Sequence, residues 1–241
     1  MVQHEEILNK INTVKHWYHK IEVAPGIWTP GVHDSQRALE LLDLPLDCRG
    51  MKVLDIGARD GFFSFELEKR GADVVAIDII PADVTGFQVL SDYFQSKVKF
   101  IHENVYGITK EKYGTFDIVL CLGLLYHLRD PLLALDLIRE VCKGQLFLET
   151  HVIDYQYINN PHNAILTETP LMQFYPKNSF RNDYTNFWGP NMKCVEALLI
   201  ESNFEIINKK IVGDRGIFKC GVSTDSQMQY IKELTRNKLH I

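Results

Sequence analysis

The chain has 241 residues, 46% hydrophobic and 24% charged, which is typical of an ordinary globular protein with one α/β domain and additions. Its formal net charge of −5 disfavours avid, non-specific nucleic-acid binding, which needs a basic face. Five scattered cysteines without a Cys-x-x-Cys pair predict free thiols, a reducing cytoplasm and no metal site. We expect neither a signal peptide nor a membrane span, because no apolar run is long enough.

The first 45 residues are predicted to form a helical cap. Apolar side chains recur at helical spacing over residues 4–22, which predicts an amphipathic helix. A loop rich in proline and glycine follows at residues 24–31. Asp34 or Ser35 then caps a second predicted helix.

From residue 51 onwards, buried strands alternate with helices. The strands are the continuous apolar runs "MKVLDIG", "DVVAIDI", "VKFIHEN", "FDIVLCLG" and "QLFLETHV", typical of parallel strands covered on both faces. The segments between them have helical spacing, and one of these helices is expected to close at Gly144. Right-handed crossovers would join the strands into an α/β domain that we expect to cover residues 46–222.

The last third of the chain departs from this alternation. Residues 152–190 are aromatic and irregular, and we predict a cap insertion, since a long loop in a compact domain is usually functional. The segment "NMKCVEALLIESNF" predicts a helix, and "EIINKKIV" and "GIFKCGV" predict two strands around the turn "GDRG". Residues 223–241 are expected to form a C-terminal tail or helix.

Polar groups recur at the C-terminal ends of the predicted strands, where open α/β sheets bind ligands. The first strand ends in "DIGARDG", which lacks the middle glycine of a pyrophosphate fingerprint but keeps a tight turn before a helix N-terminus. Asp78 can accept both hydroxyls of a ribose, and Asn104 and Val105 can hold an adenine. This set indicates a nucleoside linked to an amino acid, such as S-adenosylmethionine, although Asp55 could simply support the turn.

The same strand ends supply candidates for a general base, which an oxygen or nitrogen acceptor can need beside a sulfonium. His127 and His151 follow the fourth and fifth strands with Tyr126 beside them, and His33 and Asp34 on the N-terminal loop are the second choices. Structural alternatives stay open, because Tyr126 and His127 could be a satisfied loop pair and His151 a core histidine. Methyl transfer by proximity alone is a further alternative.

The stretch "VLDIGARDGFFSFELEKRGA" with "VVAID" resembles the cofactor motifs of class I S-adenosylmethionine-dependent methyltransferases. "CLGLLYHLRDPLLAL" and "LFLETHVID" are similar more narrowly to the tRNA wobble-uridine methyltransferase group and its small-molecule relatives. The resemblance covers about residues 22–222. It implies an α/β, Rossmann-like, seven-stranded sheet of order 3-2-1-4-5-7-6 with strand 7 antiparallel, and the two strands at the end of the sequence fit that arrangement.

The resemblance also implies which residues hold S-adenosylmethionine. They lie in the N-terminal extension and at the strand ends: Trp28, Asp55, Gly57, Ala58, Arg59, Gly61, Asp78, Ile79, Asn104, Val105, Leu122, Gly123 and Tyr126. Arg59 could reach the cofactor carboxylate, point into the acceptor cleft or pair with a nearby acid. We favour the ion pair by a small margin.

We predict an O- or N-methyltransferase that acts on a small metabolite or natural product. The carboxymethyl-transferring relatives use a basic N-terminal extension for a carboxylated cofactor and tRNA, whereas the loop "IWTPGVHDSQR" has no lysine. Modification of the tRNA wobble uridine is therefore the alternative, and a nicotinamide-dependent oxidoreductase or nucleoside sensor is the third hypothesis. An apolar cap would hold the acceptor, through His33, Tyr155, Tyr157, Phe174, Tyr175, Phe187, Trp188 and Asn191, unless these aromatic rings only fill a core. The oligomeric state is not predicted.

Overall fold

The structure is a computed structural model that describes residues 2–156, 166 and 168–225. Its N-terminal part has two helices on either side of a short antiparallel hairpin: α1 (Val2–Thr13), β1 (Glu22–Ala24), β2 (Ile27–Trp28) and α2 (Ser35–Leu42). The α2 cap is Asp34, whose side chain accepts a hydrogen bond from the Arg37 backbone N–H. The cap predicted over residues 1–45 is therefore only partly helical.

The predicted helix over residues 4–22 is wrong in its second half, since α1 ends at Thr13. Beyond this end, the backbone N–H groups of Tyr18 and His19 both donate to Asp60 Oδ2, each at 2.8 Å. Donors that bind a distant carboxylate cannot also continue a helical ladder. Apolar spacing contains no information about this partner, so the sequence overestimated the helix.

A seven-stranded sheet forms the centre of the protein. In chain order, the remaining elements are β3 (Lys52–Ile56), α3 (Phe62–Lys69), β4 (Asp73–Asp78), α4 (Phe87–Phe94), β5 (Lys99–His102), α5 (Lys110–Tyr113), β6 (Phe116–Leu122), α6 (Pro131–Val141), β7 (Cys142–His151), β8 (Met172–Phe174), β9 (Trp188–Pro190), α7 (Met192–Glu201), β10 (Phe204–Val212) and β11 (Arg215–Val222). The sheet order is β10-β11-β7-β6-β3-β4-β5, and β11 is antiparallel to both of its neighbours. This confirms the predicted sheet order.

Two apolar cores cover the two faces of the sheet. Helices α1 to α4 pack on one face, and α6 and α7 pack on the other. Neighbouring residues of β3 point to opposite cores, with Val53 in the first and Leu54 in the second. Burial of both faces explains why these strands are continuously apolar in the sequence.

Helix α6 ends at Val141 rather than at the predicted Gly144, because β7 already begins at Cys142. A side chain on Gly144 would lie 2.3 Å from the Asp117 carbonyl oxygen of the neighbouring strand. The glycine is therefore needed for the close approach of β6 and β7, and not for a helix end.

All five cysteines have free, buried thiols. Burial raises the pKa of Cys121 and Cys220 to about 12, so these thiols stay protonated and unreactive near neutral pH. Across the described ranges, no helix combines the length and apolar character that a bilayer crossing requires. The same residues contain no group of three or more His, Cys, Asp or Glu side chains arranged to hold a metal ion.

The division into an N-terminal cap, a central domain of residues 46–222 and a C-terminal tail stays a prediction. Most of the tail, residues 226–241, lies outside the described residues. Within the insertion at 152–190, strands β8 and β9 form a small antiparallel pair. The Phe187 N–H ties this insertion to the loop after β6 by donating to the Tyr126 carbonyl at 3.0 Å.

Candidate active site

The loops after β3, β4 and β6 meet at one edge of the sheet. The Gly57 N–H donates to the Ile77 carbonyl at 2.8 Å, and the Arg59 N–H donates to Asp78 Oδ2 at 2.9 Å. A side chain on Gly57 would meet Leu124, from the loop after β6, at 3.7 Å. The turn therefore lies between the C-terminal ends of β4 and β6, where an open α/β sheet binds its ligand.

Asp78 presents a carboxylate that is fixed by the backbone on both oxygens. Oδ2 accepts from Arg59, and Oδ1 accepts from the Ile80 N–H at 2.8 Å. Each oxygen has a further lone pair, so the 8% exposed side chain can still accept ribose hydroxyls. Beside it, Ile79 is 62% exposed, and Asn104 caps a short turn at the end of the next strand. These positions fit the predicted ribose and adenine contacts.

Asp55 supports the turn, which is the alternative that the sequence left open. Its Oδ2 accepts a hydrogen bond from the Ser64 hydroxyl at 2.6 Å and so anchors the first turn of α3. Burial raises the pKa of Asp55 to about 6, the Ser64 hydrogen bond opposes this, and the charge of Asp78 adds to it. The buried carboxylate acts through the shape of the loop rather than by contact with a ligand.

Three other predicted cofactor contacts are also buried. Ala58 and Val105 are almost inaccessible, and a side chain on Gly61 would lie 2.6 Å from the Phe65 ring. Gly61 has a φ of 86°, so both its conformation and its packing require glycine. These residues shape the loops and offer little surface to a cofactor.

Arg59 does not form the ion pair that the sequence favoured. Among the described residues, no carboxylate pairs with its guanidinium within 4.0 Å. Its backbone holds the loop instead, with a φ of 53° and a carbonyl that accepts from Thr85 Oγ1 at 3.0 Å. Burial lowers the pKa of His19 to about 3, with added effects of the charges of His33 and Arg59. The Arg59 guanidinium therefore lies close enough to His19, in the N-terminal segment, to affect its pKa.

A cleft of about 300 Å³ lies between the N-terminal part and the ends of β6, β7 and β11. Its floor includes Leu122 and Gly123, so the cleft opens beside the predicted cofactor site. The polar side chains of its walls are Tyr18, His19, His33, Asp34, Arg37, Glu149, Arg181 and Arg215. Apolar side chains of Ala38, Leu41, Leu42, Phe63, Val212 and Ile217 line the rest of the cleft, so its surface is both charged and apolar.

Arg215 and Glu149 form a two-pronged ion pair in this cleft. Arg215 Nη2 lies 2.7 Å from Glu149 Oε2, and Arg215 Nε donates to Glu149 Oε1. The guanidinium also lies over the Tyr126 ring, 5.1 Å from its centroid. A side chain on Gly123 would lie 3.5 Å from Arg215, so the pair borders the strand end beside the predicted cofactor site.

His33 lines the cleft, as does Asp34, the other second-choice base. Its ring stacks on Tyr18, and its Nδ1 lies 3.3 Å from Ser35 Oγ. Burial lowers the pKa of His33, so the imidazole is neutral near pH 7 and can accept a proton. Burial raises the pKa of Tyr18 to about 12, so its phenol keeps its proton.

His127 and His151 do not line the cleft and contact other protein groups. His127 Nδ1 lies 3.0 Å from the Thr185 carbonyl, which ties the loop after β6 to the insertion. His151 is 0% exposed, with Nε2 3.2 Å from the Tyr175 hydroxyl and Nδ1 3.4 Å from the Asp214 carboxylate. Both nitrogens of His151 face protein groups, so the structure favours a core role for it over that of general base.

Asn191 is a structural residue rather than part of an acceptor site. It caps α7, and its buried Oδ1 accepts from the Cys194 N–H at 2.8 Å and the Leu171 N–H at 3.1 Å. Its Nδ2 donates to two further carbonyls, so the amide is saturated. Tyr175 is also buried and stacks on Phe180 at 4.5 Å.

The other described aromatic residues that were predicted to hold the acceptor, Tyr155, Phe174, Phe187 and Trp188, do not line the cleft. Phe174 is exposed and packs on Trp188 at 5.2 Å, Phe187 lies under the Arg129 guanidinium, and Tyr155 is exposed. Tyr157 lies outside the described residues. The insertion reaches the cleft through Arg181.

Trp28, predicted to close the cofactor pocket, is exposed and lies under Lys20 at 5.4 Å. The aromatic residue of the N-terminal part that lines the cleft is Tyr18. Sequence reasoning missed this role because Tyr18 fitted the apolar stripe of the overextended helix.

Comparison with known families agrees with this architecture. A family model described as a methyltransferase domain matches residues 33–187 of the chain. The chain belongs to this methyltransferase domain family. Membership confirms the predicted family and enzyme class, that of the S-adenosylmethionine-dependent methyltransferases.

The curated relatives include tRNA U34 carboxymethyltransferases. The protein from Dichelobacter nodosus is 36% identical over 118 residues, which cover 47% of this chain and 37% of that protein. The protein from Wolinella succinogenes is 26% identical over 188 residues, which cover 76% of this chain and 62% of that protein. The chain spans about half the length of the curated relatives it matches.

Solved methyltransferase structures have the same fold. The N-terminal domain of EvdMO1, with S-adenosylhomocysteine bound, has a TM-score of 0.64 at 17% identity and covers 91% of this chain and 96% of that domain. The 1,6-didemethyltoxoflavin-N1-methyltransferase of Burkholderia thailandensis has a TM-score of 0.55 at 16% identity and covers 73% of this chain and 72% of that one. At these identities the likeness shows the fold alone.

Proposed function

We propose that the protein transfers a methyl group from S-adenosylmethionine to a small molecule held in this cleft. The observation that supports this most is the position of Gly123. It follows β6, whose end lies beside the loops of Gly57 and Asp78, and it also forms part of the cleft floor. One strand end would thus serve the cofactor on one side and the acceptor on the other.

The residues at the strand ends fit this cofactor. Asp78 can accept the ribose hydroxyls, while Ile79 and Asn104 offer apolar and polar surface for the adenine. Gly57, with a φ of 79°, forms the tight turn that can contact the methionyl part, and the Arg59 guanidinium can bind its carboxylate. The cofactor supplies a methyl group that is already activated on a sulfonium.

The protein then has to align the acceptor, exclude water and receive a proton. We assign His33 the role of proton acceptor, since its neutral imidazole lines the cleft. Tyr18 keeps its phenol proton and can donate a hydrogen bond to the acceptor. The ion pair of Arg215 and Glu149 can orient polar groups of the acceptor at the cleft floor.

The cleft combines charged and apolar side chains, so it suits an acceptor that is partly polar and partly apolar. Arg215 is neutralised by Glu149, and Arg181 pairs with Asp214 at 2.6 Å. Arg37 and Asp34 also line the cleft, and their opposite charges give the lining no excess of positive charge that would select an anionic acceptor. The volume of about 300 Å³ suits a small metabolite.

A tRNA wobble uridine is the second candidate acceptor. It is favoured by the identity to tRNA U34 carboxymethyltransferases and by the arginine side chains along the cleft. It is disfavoured by the net charge of −5, because tRNA binding depends on an extended basic surface. Cytoplasmic location remains part of this proposal for either acceptor.

Two measurements test the proposal. Calorimetric titration should show binding of S-adenosylmethionine and S-adenosylhomocysteine, and Asp78→Ala should remove most of that affinity. Binding of NAD without S-adenosylhomocysteine would refute the methyltransferase function. Incubation with methyl-labelled S-adenosylmethionine and either a pool of small metabolites or unmodified tRNA then separates the acceptors. Label in the tRNA alone would replace the small-molecule proposal by the second candidate.

A further inference from the structure

Asp60 is a buried carboxylate in the loop after β3 that the proposed reaction does not use. The side chain is 0% exposed. Its Oδ2 accepts hydrogen bonds from the backbone N–H groups of Tyr18 and His19, each at 2.8 Å. Its Oδ1 accepts from the Gly86 N–H at 3.0 Å, so a single side chain joins three segments.

Backbone donors hold this carboxylate without a cation. Among the described residues, the basic group within 4.0 Å of it is the His19 imidazole, whose Nδ1 lies 3.8 Å from Oδ2. Burial lowers the pKa of His19 to about 3, so this ring is neutral at pH 7. Hydrogen bonds to a buried carboxylate are strong and directional. The position of Asp60 therefore determines where the three donors lie.

The segment held by Asp60 is one wall of the cleft. Tyr18 and His19 both line the cleft, as does His33. The backbone carries the restraint further, because the His33 N–H donates to the Tyr18 carbonyl at 2.9 Å and the Lys20 N–H donates to the His33 carbonyl at 3.0 Å. The acceptor wall thus depends on Asp60 through backbone hydrogen bonds.

Arg59, the residue before Asp60, is hydrogen-bonded to residues at the predicted cofactor site. The Arg59 N–H donates to Asp78, and the Arg59 carbonyl accepts from the Thr85 hydroxyl. The next residue on that second loop, Gly86, donates to Asp60. Arg59 and Asp60, in the loop after β3, are therefore hydrogen-bonded to Thr85 and Gly86, in the loop after β4. Arg59 also binds Asp78, so these residues form one hydrogen-bonded unit.

We propose that Asp60 is a positioning residue that couples the cofactor loop to the acceptor wall. The proposal rests on the proposed function for the identity of the cofactor. A cofactor that engages Asp78 stabilises the unit of Arg59 and Asp60, and Asp60 transmits this order to Tyr18 and through it to His33. By linkage, an ordered wall in turn favours the cofactor-bound loop.

Two substitutions and one control separate positioning from general stability. Asp60→Ala removes all three hydrogen bonds, whereas Asp60→Asn keeps one oxygen acceptor and replaces the other by a donor. The control is Asp117→Asn, because Asp117 accepts the Lys52 backbone N–H at 3.0 Å near the N-terminal end of β6, at the opposite end of the strand from the loops of the site. All three proteins are first compared with the wild type by thermal unfolding.

Amide hydrogen exchange of peptides that cover residues 14–33, with and without S-adenosylhomocysteine, measures how well ordered the cleft wall is. In the wild type we expect the ligand to slow exchange in this segment. Without ligand, Asp60→Ala should speed its exchange by about tenfold or more, since three hydrogen bonds to a buried carboxylate are lost. At saturating ligand the ligand should no longer slow exchange in this variant, and by the same linkage its affinity for the ligand should be lower than that of the wild type.

Asp60→Asn should give intermediate exchange, and Asp117→Asn should match the wild type. Exchange in residues 14–33 that Asp60→Ala leaves unchanged would overturn the proposal, as would ligand protection that persists in this variant. If Asp60→Ala does not fold, Asp60→Asn decides by the same criteria. If the wild type does not bind S-adenosylhomocysteine, the proposed function fails, and the ligand-free exchange still decides whether Asp60 holds the wall.

Discussion

The imidazole of His33 and the phenol ring of Tyr18 stack with centroids 5.0 Å apart and planes 15° from parallel. The stack lines the same cleft as the ion pair of Glu149 and Arg215. Burial lowers the pKa of His33, Glu149 opposes this and Arg215 adds to it. Of the three histidines proposed as general base, His33 combines access to the cleft with a neutral ring.

Replacing His33 should therefore slow methyl transfer. For an acceptor that must lose a proton, we expect His33→Ala to lower kcat by about 10²- to 10⁴-fold, the usual contribution of a positioned base. Cofactor affinity should change little. The measurement is transfer of labelled methyl to the acceptor found in the pool experiment, with His16→Ala, at an exposed position, as the control. An unchanged rate would mean that transfer proceeds by proximity alone.

The same assignment predicts the acidic side of the pH–rate profile. A base must be unprotonated to act, so activity falls as the pH drops through its pKa. Because burial lowers the pKa of His33, the acidic limb of kcat/KM should lie below the ordinary histidine value of about 6.5. A limb at or above about 6.5 would point to a different base. In His33→Ala, this limb should disappear from the residual activity.

Arg59 provides a test of the cofactor side. If its guanidinium binds the methionyl carboxylate, Arg59→Ala should weaken S-adenosylhomocysteine binding by about 10- to 100-fold, as for the loss of a charged hydrogen bond. A positive φ of 53° is equally unfavourable for alanine and arginine, so this substitution adds no backbone strain and tests the side-chain charge. Calorimetry should find that Arg59→Lys keeps part of the affinity. Equal affinity in Arg59→Ala and the wild type would exclude this contact.

The sheet could be predicted from the sequence because its evidence is local. Continuous apolar strands, helical spacing and glycine turns each occupy a short stretch, and the parallel alternation leaves few topologies. The position of Asp78 at a strand end followed from the same pattern. Asp60 was not predictable, because its partners Tyr18 and His19 lie about forty residues away and use backbone N–H groups, which have no sequence signature.

The acceptor cleft was not predictable for a related reason. The ion pair of Glu149 and Arg215 joins residues 66 positions apart and exists because β11 returns beside β7. Aromatic composition suggested instead that the insertion lines the cleft. Tyr175 buries its ring within the insertion and Phe174 lies on the outside, although the two are neighbours. Composition cannot distinguish these two positions.

Asp55 should make the stability of the protein depend on pH in a defined direction. Its pKa rises from 3.8 to about 6 on folding, because burial disfavours the charged form. Between these values the folded state binds the proton more tightly than the unfolded state. The stabilising contribution is therefore complete below about pH 3.8 and is lost as the pH rises through about 6. At neutral pH the loss is on the order of 3 kcal/mol at most, from about 1.4 kcal/mol per pKa unit.

Asp55→Asn does not titrate and keeps an oxygen acceptor for Ser64. Its free energy of unfolding, relative to the wild type, should rise as the pH is raised from 4 to 7 in urea denaturation. Asp117→Asn is a control of opposite sign, because the Lys52 N–H hydrogen bond lowers the pKa of Asp117 despite the opposing desolvation. Asp117 stabilises the fold above pH 3.8, so its variant should lose stability relative to the wild type as the pH rises from acid. The same pH trend in both variants would contradict the assignment of the raised pKa to Asp55.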